Sequence, residues 1–328
     1  MALENYSVDE MVEVSIKEFV SGLAMPVDVY LQMAPDKYIL IAQKGDQSQL
    51  QGLTVVKSNS VKTVFIRRDD FKSFSESAVN IVAAVAGSDK FQMSHKAKFL
   101  KAATNAVFTE LHQFGPKAAT IDMAKSVANS TLQMIAPNTT ITNILKSLQQ
   151  EHILNQSIAV SAFSLMIANK LGWQSSVTLE KLSMGALLAE VGLKEIPPEL
   201  ILKPRSEMDH DEIRIYEEHP YRGLKLLETA GTLPDDVKSV VYEHHENAIG
   251  FGYPRKLRDI RMNPLAKVVA LSTQFCELII PGPWQPSPMT PIDAATYIKD
   301  IMGQPYNKEA FKALCKLIEE DFKNIQAS

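Results

Sequence analysis

Two adjacent histidines, His244 and His245, stand in YEHHENAIGFGYP (Tyr242 to Pro254) with a glutamate behind them and a Gly-Tyr-Pro turn ahead. Imidazole and carboxylate in one short stretch suit Mn, Fe or Zn. Of the seven histidines, His152, His219, His244 and His245 carry a ligand reading. In QEHILNQSI, His152 and Gln156 are four residues apart and share one face of a predicted helix. His219 is placed near the end of a helix in DEIRIYEEHP, and the adjacent pair closes another. Successive helical residues turn about 100°. Both neighbours can therefore face one ion only where the helix relaxes, and the loop with Gly250 and Gly252 permits that. A histidine taken singly is more often a surface or satisfied residue; the pair resists that account. Spacing alone does not bring these helices together.

Other groups admit weaker chemistry. After the turn, RKLRDIR holds Arg255, Lys256, Arg258 and Arg261, and guanidinium groups match phosphate bidentately. An ordinary solvated loop is the simpler reading of them. Tyr253 and Pro254 are expected to form a rigid surface for a base or a partner. Glu243 and Glu246 are read as helix-surface charges ahead of acceptors for imidazole N–H groups. The dipeptide His210-Asp211 follows Asp209 at a helix start and is read as capping.

The elements that must position these residues are mostly helical. Residues 11–75 mix β-rich segments, DKYILIAQKGD and VKTVFIRRDDF, with a short helix and loop expected in QSQLQGLTVVKSNS. From Ser75 to Pro137 the chain is Ala-rich with apolar residues three and four apart, broken near Gly87 and Gly115-Pro116. From Thr139 onward helical patterns dominate, with DHDEIRIYEEHPYRGLKLLETA expected as one amphipathic helix.

The composition bounds the function. With 328 residues, 45% apolar and 22% charged, the chain fits about two ordinary domains. A net charge of −4 argues against generic nucleic-acid binding, so no DNA partner is expected. Cys276 and Cys315 build no disulfide framework. The acidic start MALENYSVDEMVEV lacks a signal-peptide pattern, and no run is apolar for the roughly 18 residues a membrane span needs. The expectation is a cytoplasmic protein without membrane insertion.

From about residue 148 to 310 the chain resembles the HD-GYP family, helical metal-dependent phosphodiesterases that hydrolyse cyclic di-GMP. The family's HHE..DG.GYP is matched by His244, His245, Glu246, Gly250, Gly252, Tyr253 and Pro254. The segment IPPELILKPRSEMDHDEIRIYEEHPYRGLKLL is similar to IP..IL.KP..L...E......H...G...L, with His219 on its metal-binding histidine. The departures are specific. LLHDIGK appears as LLAEVGL, so Ala189, Glu190 and Leu193 stand for His, Asp and Lys. The early histidine falls on Gln156, with His152 one turn before it, where some members carry a Glu ligand. In VAD.FDALT the late Asp falls on Thr273, RPYR becomes GPWQ (Gly282 to Gln285), and the loop Asp is Ile249.

The resemblance implies two metals, one on the early His, the HD pair and the late Asp. Gln156, Ala189 and Thr273 cannot replace those ligands well. The second implied ion uses positions held by Glu190, His219, His244 and His245, all able to bind. Two-metal hydrolysis needs both ions about 3.5–4 Å apart. Deleting one electrostatic stabiliser costs about 10²–10³ in rate, and the Leu193 position also lacks its cation. Little or no hydrolysis is expected, with at most one divalent ion (Fe, Mn or Zn) or none.

The fold expected is mainly α: an HD-type helical bundle preceded by a small α+β N-terminal domain. The boundaries are 1–75 for that domain, 76–138 for a helical connector and 139–328 for the degenerate HD-GYP domain. The function expected is a non-catalytic module in cyclic di-GMP signalling. It binds nucleotide or a partner protein, such as a GGDEF-type protein, through the face of Gly250, Gly252, Tyr253, Pro254, Arg255 and Lys256. The alternatives are a weak single-metal cyclic di-GMP phosphodiesterase and a structural bundle, with a homodimer through residues 76–137.

Overall fold

A computed structural model describes residues 3–327 apart from 17–18, 20–23, 47–60, 62, 136–138, 148–152, 232, 283–284 and 286. The short helix and loop expected in 47–60 lie outside the described residues, as does His152.

The N-terminal strands are β1 (Leu3–Asn5), β2 (Met11–Ser15), β3 (Val29–Ala34), β4 (Lys37–Ala42) and β5 (Thr63–Arg67). They form an antiparallel sheet in the order β1-β4-β3-β5-β2. Alternation sets the faces: Val12 and Val14 of β2, and Val64 and Ile66 of β5, turn to one side. There they pack with Phe71 and Phe74, at the start of helix α1 (Phe71–Ala86). Met11, Tyr30 and Tyr38 form a smaller aromatic cluster of their own.

Helices α2 (Met93–Phe114) and α3 (Ala118–Met134) follow α1, and the predicted breaks hold. Gly115 takes a left-handed φ of 77°, which a side chain would strain. The expected stripes of α1–α3 are buried within the chain itself. Val79, Leu100, Val107, Leu111 and Val127 belong to one apolar core that continues to Ile318. That core also takes in α4 (Ile141–Ser147), α5 (Ile153–Lys170) and α6 (Ser176–Leu188).

After α6 the chain tightens into a 3₁₀ segment, Ala189–Glu195, then a short helix α7 (Pro198–Ile201). The single helix expected from Asp209 to Ala230 is instead two, α8 (His210–Tyr216) and α9 (His219–Glu228). Glu217 caps the first, and Pro220 in the first turn of the second has no N–H to continue the ladder. His219 therefore begins a helix instead of ending one. The remaining helices are α10 (Asp235–Glu243), α11 (Pro264–Ile279), α12 (Pro291–Thr296), which continues as a π turn over Tyr297–Ile301, and α13 (Lys308–Ala327). Asp209 caps α8 through the backbone N–H groups of Asp211 and Glu212, as the sequence predicts. Among the described residues no helix is long and apolar enough to cross a membrane.

Candidate metal centre

Glu190 enters the site from the 3₁₀ segment because that backbone lies flat on the start of α9. A Cβ on Gly192 would strike the carbonyl oxygen of His219 at 2.0 Å and the nitrogen of Gly223 at 2.6 Å. Only glycine allows this approach. It leaves Glu190 Oε2 3.3 Å from His219 Nε2 and 3.9 Å from His244 Nε2. His244 caps α10, and the chain leaves helical geometry there, so the adjacent rings lie with centroids 4.3 Å apart. Ligand atoms of Glu190, His219, His244 and His245 all fall within 4.8 Å of one another.

The hydrogen bonds fix the tautomers of two histidines. His219 Nδ1 meets the Tyr216 carbonyl and His244 Nδ1 the Val241 carbonyl, each at 2.8 Å. A carbonyl only accepts, so both Nδ1 atoms carry the proton. With both rings neutral, the two Nε2 atoms present lone pairs to each other across 3.2 Å. That contact is repulsive unless a cation joins it. Metal–nitrogen bonds of about 2.0–2.1 Å give a tetrahedral edge of about 3.3 Å, close to both this spacing and the Glu190–His219 distance. Glu190 Oε2 and His245 Nε2 are buried without hydrogen-bond partners, which buried polar atoms rarely are. The donor set fits a divalent ion.

The electrostatics agree. Burial opposes ionisation of Glu190, but the neighbouring His219 and His244 rings outweigh it and hold its carboxyl below the usual range. Burial pushes His244 down to about 4, and pushes His245 well below its ordinary value with help from its histidine neighbours. Both imidazoles are thus neutral at physiological pH, the form that can ligate a metal.

The residues standing at the other metal's positions are differently placed. Gln156, Ala189 and Thr273 are all buried, and the Thr273 hydroxyl has no partner. Leu193 packs with Ile196, Leu200 and Tyr216 in an apolar cluster. Lys194 turns to the Thr109 hydroxyl on α2, 3.2 Å away.

Several expectations change. Tyr253 is not a free surface: its ring stacks on His245 at 4.5 Å and 15°, and its hydroxyl is buried. Burial raises that phenol well above its ordinary value. Glu243 and Glu246 are not helix-surface charges either. Both are buried and clamp the turn from beneath. Glu246 accepts from the N–H groups of Arg255 (2.6 Å) and Leu257 (2.8 Å), and Glu243 from that of Asn263 (2.8 Å). Gly252 seats the turn on this base, since a Cβ there would meet the His245 carbonyl oxygen at 2.4 Å. Pro254 is half-buried, Gly250 takes φ of 84°, and the exposed Lys256 takes φ of 53°. Arg255 leans over the Tyr242 ring and toward Glu243. The exposed apolar groups of the loop are Ile249, Phe251 and Ile260.

Two site groups escape the sequence reading. Arg205 lies 5.1 Å from the Tyr253 ring centroid and pairs with Glu217. Glu277, on α11, places Oε1 3.9 Å from His245 Nδ1. Burial and the charge of Glu190 push the Glu277 carboxyl up to about 8, against the pull of Arg205. The available signal was its position: a lone acid in the apolar run LAKVVALSTQFCELII.

The profile of the HD domain family matches residues 139–309. A cyclic di-GMP phosphodiesterase of Thermotoga maritima is 26% identical over 182 residues, 55% of this chain and 48% of that protein. One from Pseudomonas aeruginosa is 24% identical over 164 residues, 50% of this chain and 39% of that one. The cyclic di-GMP phosphodiesterase response regulator RpfG of Xanthomonas campestris is 27% identical over 152 residues, covering 46% and 39%. The chain thus spans about half the length of these curated relatives or less. Among solved structures, Bd1817, an HDG"Y"P protein from Bdellovibrio bacteriovorus, superposes with a TM-score of 0.71 at 19% identity. That match covers 94% of this chain and all of the other, so the fold likeness extends through the sheet and the helices α1–α3.

Proposed function

The chain belongs to the HD domain family, in its HD-GYP branch, and from that standing we propose that it is a cyclic di-GMP signalling module that holds one divalent ion and does not turn nucleotide over efficiently. The observation that carries this reading is the facing pair of Nε2 lone pairs on His219 and His244, with the partnerless Glu190 oxygen beside them. Glu190, His219, His244 and His245 would hold Fe, Mn or Zn. Bound there, such an ion supplies a Lewis acid for one phosphate oxygen.

The chain's own residues support binding without efficient cleavage. Gln156, Ala189 and Thr273 offer no second carboxylate–imidazole set. The Leu193 side chain is spent on an apolar cluster, leaving no ammonium there for a developing phosphorane charge. Tyr253 covers His245 and limits the approach of water to it. A second reading, partner docking on the loop, is supported by the exposed Ile249, Phe251 and Ile260.

The test is elemental analysis of protein purified without chelators or a metal-binding tag, beside Glu190→Ala, followed by calorimetry with cyclic di-GMP and chromatography for linear product. About one ion per chain, lost in the variant, with nucleotide bound and left intact, is expected. Absence of both metal and nucleotide overturns the proposal. Rapid appearance of linear product would replace it with the single-metal phosphodiesterase.

A further inference from the structure

The histidines at the centre share a pattern that Glu277 completes. His219 and His244 each donate Nδ1–H to a backbone carbonyl and turn Nε2 inward. His245 has a buried, partnerless Nε2, and its Nδ1 faces a carboxylate oxygen of Glu277 at 3.9 Å instead of a carbonyl. We propose that Glu277 is the positioning residue for His245. Its Oε1, an acceptor in the ionised or the protonated carboxyl, takes a hydrogen bond from Nδ1–H, fixes the tautomer, and so presents the Nε2 lone pair to the ion. The inference rests on the metal-centre reading above and deepens it.

Helix geometry explains how Glu277 comes to be there. Thr273 and Glu277 are four residues apart on α11 and share a face. Side chains on a helix lean toward its N-terminus, so the longer glutamate reaches back over the turn of Thr273. The pattern VAD.FDALT places Asp at position 273 and Ala at 277. This chain has no carboxylate at 273 and has one a turn later, at 277.

The carboxylate is also held from behind. Glu277 Oε2 accepts from Gln274 Nε2 at 3.3 Å, and Gln274 Oε1 accepts from the Tyr306 hydroxyl at 3.0 Å. One oxygen is therefore tied to α11 and the segment before α13, which leaves Oε1 for His245. At 3.9 Å the contact is about 0.9 Å longer than an ordinary hydrogen bond, and it should close when the ion draws His245 inward.

The experiment uses the full chain, stripped of metal, titrated with Zn²⁺ against a chromophoric chelator as wild type, Glu277→Leu, Glu277→Gln and Glu190→Ala. Nitrogen-15 NMR of the metal-free protein reads which ring nitrogen of His245 carries hydrogen. Loss of an outer carboxylate on a ligand histidine typically weakens metal binding about 10–100-fold. Glu277→Leu should show that loss with unchanged stoichiometry. Glu277→Gln should lose less, because its amide oxygen still accepts, and its near-identical shape guards against misfolding. The wild-type His245 should hold its proton on Nδ1, and Glu277→Leu should shift it toward Nε2.

Unchanged affinity and an unchanged tautomer in Glu277→Leu overturn the proposal. Loss of metal in Glu277→Gln as complete as in Glu190→Ala also overturns it, by making Glu277 a direct ligand. If the wild type binds no Zn²⁺, or Glu190→Ala binds as tightly, the metal-centre reading fails. The tautomer of His245 still decides the role of Glu277.

Discussion

His244 has no exposed surface, and burial brings its imidazole down to about 4. An unfolded histidine titrates near 6.5. Between those values the unfolded chain binds a proton that the folded metal-free chain refuses, so stability rises with pH through this window. The contribution is full above about pH 6.5 and is lost as the pH falls toward 4. His244 alone should account for a loss on the order of 2 kcal/mol between about pH 7.5 and pH 5 in urea denaturation of the metal-free protein, and His244→Gln should remove that share, leaving the part that His245 contributes in the same direction. Leu193 makes the opposite point about restoring lost chemistry. Its neighbours Ile196, Leu200 and Tyr216 are apolar. Leu193→Lys should therefore lower stability by roughly 3 kcal/mol in a denaturation experiment without recovering turnover. The adjacent histidines were legible in the sequence because few structural needs call for them. Glu277 was not, because no local pattern says which carboxylate on a helix will be bent over a site.

At the level of elements, the Gly-Tyr-Pro loop behaves as a clamped strap. Glu246 accepts two backbone N–H groups from it, and burial raises the Glu246 carboxyl against the lowering pull of those bonds. Glu246→Gln keeps one acceptor oxygen and loses the charge. The amides of Arg255 and Leu257 should then exchange hydrogen faster, at a stability cost of about 1–3 kcal/mol. Unchanged exchange would show that the clamp is dispensable. The motif letters reveal that a glutamate follows the histidines, while its partners lie nine and eleven residues on. Turning it inward depends on the cramped seat of Gly252. The break between α8 and α9 was missed for a related reason. The amphipathic pattern continues through Glu217 and Glu218, and Pro220, tolerated in a helix's first turn, marks a new start as easily as a kink.

Across the whole molecule, the small sheet and the helical remainder were readable from period: alternating β-branched residues early, then three- and four-residue spacing. What period could not convey is how the parts touch. On α2, His112 Nε2 meets the Val191 carbonyl at 2.8 Å and Nδ1 meets Glu195 at 3.2 Å, gripping the segment that carries Glu190. The next two residues face the other way. Gln113 accepts from Arg68 and Phe114 stacks on Phe71, both next to the sheet.

Residues 112 to 114 thus touch both the segment that carries Glu190 and the groups beside the sheet, and any coupling through them is reciprocal. Whatever free energy a displacement of the sheet adds to metal affinity, metal binding must return to the sheet. Hydrogen exchange in β2 and β5 should therefore respond to Zn²⁺, and His112→Ala should weaken that response while leaving the ligands in place. The N-terminal sheet would then report on occupancy of a centre it never touches.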